Sequence, residues 1–303
     1  MESLRTPNER FARLPGFPFS PRYVEVADPT GGPPLRAAYV DEGPREGAPV
    51  LLVHGEPSWS FLYRRVIAGL AAAGRRVVAP DMIGFGRSDK PTNREDYTYA
   101  SHVEWMRELL FDHLGLSDVT FFGQDWGSLV GLRLVGEHPE RFARVVIGNG
   151  GLPTGEEPAT EAFLAWRSYS QTSPAFDIGR IVAGGCAKPL APEVVAAYDA
   201  PFPDDAFKAG ARQFPALVPT SPEDPAHDAN VAAWRELERF DRPFLCCFSD
   251  GDPITRGADR RLRERVPGAR GQRHVTIEGA GHFLQEDRGE QLAEVLNDFL
   301  AGF

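Results

Sequence analysis

Short apolar runs alternate with helix-like segments along the first half of the chain. The predicted buried strands are "APVLLVHG", "RRVVAPDMIGFG", "DVTFFGQ" and "FARVVIGNGG". The segments between them that favour helices are "SFLYRRVIAGLAAAG", "YASHVEWMRELLFDHLG" and "WGSLVGLRLVGEHP". Because consecutive strands joined through helices run parallel, this order predicts an α/β fold whose mostly parallel sheet is covered by helices on both faces.

The alternation stops near Gly150 and resumes after residue 230. Residues 152–230 are proline-rich and helix-like, and they contain no convincing buried strand. Strand patterns then return in "RPFLCCFSDGD" and "HVTIEGAGH", and "EQLAEVLNDFLAGF" predicts a closing helix. Because neither flank completes a sheet alone, we expect one α/β core domain of residues 1–151 and 231–303, interrupted by a helical cap domain of residues 152–230.

The charge and the cysteine content limit the partners and the compartment. The formal net charge is −10, which disfavours nucleic acid and anionic membranes as partners. Three cysteines, two of them adjacent, are too few for a disulfide framework and favour the reduced cytoplasm. The N-terminus lacks the apolar stretch of a signal peptide, and no apolar run has the length of a membrane span. The expectation is a soluble cytoplasmic protein that binds neither nucleic acid nor membrane.

The stretch Gly123-Gln124-Asp125-Trp126-Gly127 joins a predicted strand to a predicted helix. Glycines on both sides of such a turn permit tight backbone contacts, and reactive groups gather at the carboxyl ends of parallel strands. The start of the following helix also favours an anion. Asp125 is therefore a candidate nucleophile, although a helix N-cap is an equally good interpretation of this aspartate alone.

Two segments downstream favour the catalytic interpretation. The segments "SDGDPIT" and "EGAGHF" each follow a predicted strand, and they supply an acid and a histidine. The order nucleophile, acid, histidine is that of the α/β-hydrolase triad, which here gives Asp125, Asp252 and His282. Asp250 competes with Asp252 for the role of the acid, but Asp252 lies further from the strand end and is better placed to reach across.

A carboxylate at the position of the nucleophile changes the chemistry. An aspartate is already ionised at neutral pH, so it can attack an electrophilic carbon without a base and form an ester with the substrate. The histidine then remains free to activate the water that hydrolyses this ester. Such chemistry suits a saturated carbon that carries a leaving group, or a strained epoxide.

These motifs together resemble the haloalkane dehalogenases of the α/β-hydrolase fold. The resemblance is carried by "HGEPSW" (54–59), "QDWG" (124–127), "GNGGLPTG" (148–155), "DGDPIT" (250–255), "GAGHF" (279–283) and the N-terminal "LRTPNERFARLPGFPF". It covers essentially the whole chain and is weakest in the cap. It implies hydrolytic dehalogenation of haloalkanes to a primary alcohol, halide and a proton, through a covalent alkyl-enzyme ester on Asp125 that water activated by His282 hydrolyses.

The resemblance also implies how the anionic groups are bound. The indole N–H groups of Trp126 and Trp166 would hold the halide, and the backbone N–H groups of Glu56 and Trp126 would form the oxyanion hole. Asn149 stands where one subgroup carries a glutamate as its acid, which favours Asp252 and the subgroup with a second tryptophan in the cap. The role of the Glu56 side chain stays open.

The substrate pocket is expected to be apolar because haloalkanes are small and uncharged. The candidate wall residues, each equally compatible with a plain core position, are Phe163, Leu129, Phe214, Pro215, Val218 and Ile254. No Cys/His spacing typical of zinc appears, and "GFGRSD" lacks the spacing of a nucleotide-binding loop. The expected partners are therefore a small halogenated substrate, water and halide, with no metal or cofactor and with a monomeric enzyme.

Two other functions compete with this interpretation. An epoxide hydrolase would use the same triad with two cap tyrosines, for which Tyr169 and Tyr198 are available. It needs no second indole, and the family motif after His-Gly usually carries an aromatic residue where this chain has Glu56. A non-enzymatic binding protein of the same fold has no reason to keep a reactive aspartate beside a base.

Overall fold

The computed structural model describes residues 1–302, and an eight-stranded sheet forms the centre of the fold. The strands in this part of the chain are β1 (Ser3–Leu4), β2 (Arg22–Val26), β3 (Leu35–Glu42), β4 (Pro49–Val53), β5 (Arg76–Asp81), β6 (Lys90–Pro91), β7 (Val119–Gly123), β8 (Phe142–Ile147), β9 (Phe244–Ser249) and β10 (Val275–Ile277). The order in the large sheet is β10-β9-β8-β7-β4-β5-β3-β2, and β1 pairs with β6 separately.

The large sheet is mostly parallel. Strands β4, β5, β7, β8, β9 and β10 pair in parallel, whereas β3 pairs antiparallel with both β5 and β2. All residues of β4 and β7 are buried, because both strands lie inside the sheet and helices cover it. The predicted α/β fold is confirmed. The carboxyl ends of β4, β7 and β9 lie along the same edge of the sheet.

Helices connect and cover the strands. Among residues 1–302 the α-helices are α1 (Arg64–Ala72), α2 (Tyr99–Arg107), α3 (Trp126–Glu137), α4 (Glu161–Thr172), α5 (Ile178–Gly184), α6 (Pro192–Asp199), α7 (Ala209–Leu217), α8 (His227–Leu237), α9 (Ala258–Arg265) and α10 (Leu284–Ala301). Helix α1 packs on α10, and α3 packs on α2 and α8. No helix in this range is long and apolar enough to cross a membrane.

Five helices, α4 to α8, separate β8 from β9. The boundary expected at residue 230 falls inside α8, which packs on α3 of the core. The indole of Trp234 on α8 also donates a hydrogen bond of 2.7 Å to the carbonyl of Leu152. We therefore propose that α4 to α7 form the cap and that α8 belongs to the core.

A buried ion pair attaches the inserted segment to the core. Arg64 of α1 forms two hydrogen bonds with Glu286 of α10, with Nη2 2.8 Å from Oε2, and both side chains are almost completely buried. The hydroxyl of Tyr198, on α6, donates to the same carboxylate. One carboxylate thus joins two core helices to a helix of the insertion.

We predict that Arg64→Met destabilises the fold strongly, because it leaves the Glu286 carboxylate buried without its cation. Loss of one partner of such a pair costs about 3–5 kcal/mol, and urea denaturation followed by circular dichroism measures it. Arg260→Met is the matched control, since Arg260 pairs with Glu264 at the surface, where both side chains are exposed. An equal loss of stability in the two variants would contradict the prediction.

Candidate active site

The turn between β7 and α3 holds Asp125 in a strained backbone conformation. Asp125 has φ of 51°, in a region that side chains other than glycine rarely adopt. Two nearby residues must be glycines, because the space beside each of them does not admit a side chain. A Cβ on Gly127 would lie 2.0 Å from the carbonyl oxygen of Val53, and a Cβ on Gly55 would lie 2.4 Å from the Cβ of Asp125. The turn therefore presses the carboxylate against the loop that follows β4.

The two carboxylate oxygens of Asp125 have different neighbours. The backbone N–H of Glu56 donates to Oδ1 at 2.7 Å, and the Glu56–Pro57 peptide bond beside it is cis. Oδ2 lies 3.6 Å from Nε2 of His282. The structure thus places one oxygen on a fixed hydrogen-bond donor and the other beside the imidazole.

The imidazole of His282 is paired with Asp252. Its Nδ1 lies 3.1 Å from Asp252 Oδ2, and Asp252 also accepts hydrogen bonds from the backbone of Ile254 and from the hydroxyl of Thr255. Burial alone would raise the pKa of Asp252, but the charge of His282 and these hydrogen bonds lower it to about 2. Asp250 is exposed and accepts from Gly279 instead. Of the two candidate acids, Asp252 is the one that contacts the histidine.

The charge state of His282 depends on both carboxylates. Burial disfavours the imidazolium, but the charge of Asp252 and the hydrogen bond and charge of Asp125 raise the pKa of His282 to about 10. Both carboxylates therefore favour the protonated imidazole while Asp125 carries its charge. Conversion of Asp125 to a neutral ester removes one of these contributions and lowers the affinity of His282 for a proton. The neutral form of His282, which can accept a proton, is therefore more favoured once Asp125 has become an ester.

Gln124 contacts the same imidazole, which the sequence pattern did not reveal. Its Nε2 lies 3.0 Å from His282 Nε2 and 3.3 Å from the His282 carbonyl oxygen, while its Oε1 faces Nε2 of Gln285 at 3.5 Å. These neighbours fix the orientation of the amide, so that its N–H points at the ring nitrogen. Because a neutral Nε2 accepts this bond and a protonated one does not, Gln124 favours the neutral form of the base.

Asn149 supports the loop that carries the histidine. Its Nδ2 donates to the carbonyl oxygens of Gly281 and His282, both at 3.0 Å. The backbone carbonyl oxygen of Asn149 accepts a hydrogen bond of 2.9 Å from the backbone N–H of Asp125. Asn149 thus connects the turn that carries Asp125 to the loop that carries His282. Its side chain contacts that loop as a hydrogen-bond donor, whereas a carboxylate at this position could only accept.

The surroundings of the Glu56 side chain favour its uncharged form. Burial raises the pKa of Glu56 well above its ordinary value, the charge of Asp125 raises it further, and His282 and a hydrogen bond from the Trp166 side chain oppose this only in part. Glu56 Oε1 is buried and has no hydrogen-bond partner among residues 1–302. An uncharged carboxyl at this position adds no negative charge beside Asp125.

A cavity of about 320 Å³ lies above these groups. Asp125, Glu56, Trp126 and Trp166 all border it. The expected wall residues that border it are Phe163, Leu129, Pro215, Val218 and Ile254. Phe214 was wrongly expected in the wall. It is fully buried, and its ring packs 4.4 Å from the ring of Trp126, because the apolar face of α7 turns it into the core.

Neither cap tyrosine required by an epoxide hydrolase borders this cavity. Tyr198 is fully buried and donates to Glu286. Tyr169 is exposed, and its hydroxyl lies 3.3 Å from the carbonyl of Ala175. Because both hydroxyls are engaged elsewhere, the structure offers no tyrosine pair to protonate an epoxide oxygen, and the geometry disfavours this alternative.

The chain is similar to known haloalkane dehalogenases over its whole length. The family model for the alpha/beta hydrolase fold matches residues 48–289. A haloalkane dehalogenase of Psychrobacter cryohalolentis is 53% identical over 99% of this chain and 98% of its own length. One of Mycobacterium marinum is 53% identical over 97% of this chain and 98% of its own length. The tetrameric haloalkane dehalogenase DpaA from Paraglaciecola agarilytica NO2 has a TM-score of 0.90 at 36% identity, covering 100% of this chain and 99% of that one.

We predict that Asp125→Asn lowers the pKa of His282 from about 10, because the amide imitates the neutral ester and removes the charge of Asp125. NMR titration of the imidazole nitrogens measures this pKa directly. Asp250→Asn is the control, since Asp250 is exposed and does not contact the ring. An unchanged pKa in Asp125→Asn would show that Asp125 does not hold the proton on the base.

Proposed function

Because the chain belongs to the haloalkane dehalogenases, which have the α/β-hydrolase fold, we propose that Asp125 is its nucleophile, His282 its base and Asp252 the acid that orients the base. The protein is a hydrolase that converts a haloalkane and water into an alcohol, halide and a proton. The observation that carries the assignment is the position of Asp125 between the Glu56 amide and the His282 imidazole, at the floor of the cavity.

In the first step, a carboxylate oxygen of Asp125 attacks the carbon that bears the halogen. The new C–O bond forms as the C–halogen bond breaks, and the electron pair of that bond leaves with the halide. The indole N–H groups of Trp126 and Trp166 stabilise the developing charge, since an indole donates a hydrogen bond and offers no competing nucleophile. The raised pKa of Glu56 favours this step, because an ionised carboxylate would repel the halide.

In the second step, water attacks the carbonyl carbon of the Asp125 ester. His282 takes the proton from this water, and Asp252 stabilises the imidazolium that forms. The negative charge that develops on the carbonyl oxygen is stabilised by the Glu56 N–H, which already contacts Oδ1, together with the N–H of Trp126. Collapse of the intermediate breaks the bond to the alkoxy oxygen, which takes the proton from His282 and leaves as the alcohol. The carboxyl group of Asp125 then loses the remaining proton to solvent, which restores the carboxylate.

The location and the assembly state are further proposals. We propose a cytoplasmic enzyme, which the three free cysteines support, two of them buried. We also propose that the enzyme is a monomer. The solved relative DpaA is tetrameric, which is evidence against this proposal. The substrate class, water as co-substrate and halide as product follow from membership of the family.

We predict that Asp125→Ala abolishes bromide release from 1-bromobutane, and that His282→Phe releases at most one bromide per protein molecule. In the second variant the nucleophile still reacts, but the ester persists because no base activates water. Bromide release by stopped flow and the mass of the intact protein, raised by a butyl group, measure both effects. Full turnover by either variant would refute the assigned role of that residue.

We predict that Trp166→Phe lowers kcat/KM for 1-bromobutane by about tenfold or more, the effect of losing one hydrogen bond to a charged group. The variant also needs more bromide for product inhibition, because the indole that binds the anion is absent. Trp105→Phe is the control, since the Trp105 indole donates to Ala27 and does not border the cavity. Unchanged bromide inhibition in Trp166→Phe would assign that indole to packing.

A further inference from the structure

One part of the active-site cavity is cationic. Arg256, in the loop after β9, and Arg261, on α9, border the same cavity as Asp125. The other lining residues include apolar side chains such as Leu129, Val218 and Leu262. A pocket for small haloalkanes alone has no need of guanidinium groups in its wall, because its substrates carry no charge.

Arg261 is a partly buried cation with few partners. Its side chain is only 15% exposed, and its guanidinium lies 4.4 Å from the ring centre of Trp234. Nη1 lies 3.4 Å from Glu157, and Nε is buried without a hydrogen-bond partner among residues 1–302. A guanidinium has five N–H donors, and most of those on Arg261 have no partner among residues 1–302. Burial lowers the pKa of Arg261, which reflects the cost of removing this charge from water.

The ion pair between Arg261 and Glu157 is open to competition. The Glu157 side chain is 68% exposed, and ion pairs with an exposed partner contribute little free energy. Arg256 is exposed and forms no ion pair within the part of the chain that the structure describes. A carboxylate that enters the cavity can therefore bind one guanidinium that is unpaired and another whose present partner is weak.

We propose that Arg256 and Arg261 form a carboxylate subsite, so that the enzyme accepts ω-haloalkanoic acids in addition to neutral haloalkanes. The proposal rests on the function assigned above, because the halogenated carbon must still react at Asp125. Bidentate pairing with a carboxylate is the geometry that a guanidinium favours.

The separation of the two ends determines which acids fit. The halogenated carbon must lie at Asp125 while the carboxylate lies at the arginines, which border the same cavity. Because the charge of Asp125 repels a second carboxylate, we expect the acids that fit to carry several methylene groups between the carboxylate and the halogen. The subsite selects terminal halogens and excludes 2-haloacids, whose carboxylate would lie beside Asp125.

The test compares 6-bromohexanoate and 8-bromooctanoate with their methyl esters, which have the same chain without the charge. Bromide release gives kcat/KM for each substrate, and the measured quantity is the ratio of kcat/KM for the acid to kcat/KM for the ester. Arg261→Met and Arg256→Met are each expected to lower this ratio about tenfold, the loss that accompanies one charge-assisted hydrogen bond. Glu157→Gln is expected to raise it, because a competing carboxylate is removed.

Arg265→Met is the matched control. Arg265 lies on the same helix, its guanidinium lies 5.1 Å from the same Trp234 ring, and it pairs with Glu238 outside the cavity. Its loss is expected to leave the ratio unchanged. The proposal is overturned if neither Arg256→Met nor Arg261→Met lowers the ratio, or if Arg265→Met lowers it equally.

Failure of this proposal is distinguishable from failure of the assigned function. Bromide release from 1-bromohexane and from the methyl esters tests the function alone, since these substrates carry no charge. Turnover of the neutral substrates with a ratio that does not depend on the arginines rejects the carboxylate subsite only. Absence of bromide from every substrate rejects the assigned function.

Discussion

The active site depends on a single carboxylate that is held between a backbone amide and an imidazole. Asp125 reaches this position only because its backbone adopts φ of 51°, a strain of about 1–3 kcal/mol that the surrounding packing must offset. Gly55 and Gly127 make this possible, since a side chain at either position would collide with the turn or with β4. The sheet therefore stabilises a conformation that an isolated strand-to-helix turn would not keep.

The charges in the site are coupled so that the two chemical steps follow in order. While Asp125 is ionised, it and Asp252 together favour a protonated His282. Ester formation removes one of these charges, and the N–H of Gln124 continues to favour the neutral imidazole. In the proposed mechanism, Asp125 thus controls the base through its own charge.

The sequence predicted the parts of the site that depend on topology. Asp125, Asp252 and His282 each follow a predicted strand, and parallel strands bring their carboxyl ends to one edge of the sheet. Features that depend on packing between distant segments were not predictable in this way. The contact between Gln124 and His282 depends on side-chain rotamers, and the burial of Phe214 depends on how α7 docks. The presence of both Glu56 and Trp166 in the cavity wall likewise requires the position of α4 on the core.

Reaction chemistry and substrate choice are encoded by different parts of the chain. The groups that make and break bonds belong to loops at the edge of the sheet, where strand geometry fixes them. Much of the cavity wall comes instead from the insertion between β8 and β9 and from the segment around Arg256 and Arg261. Because these surfaces can change without moving the nucleophile, a triad alone does not specify a substrate. The partly buried, under-paired guanidinium of Arg261 belongs to this wall, and no catalytic motif contains it.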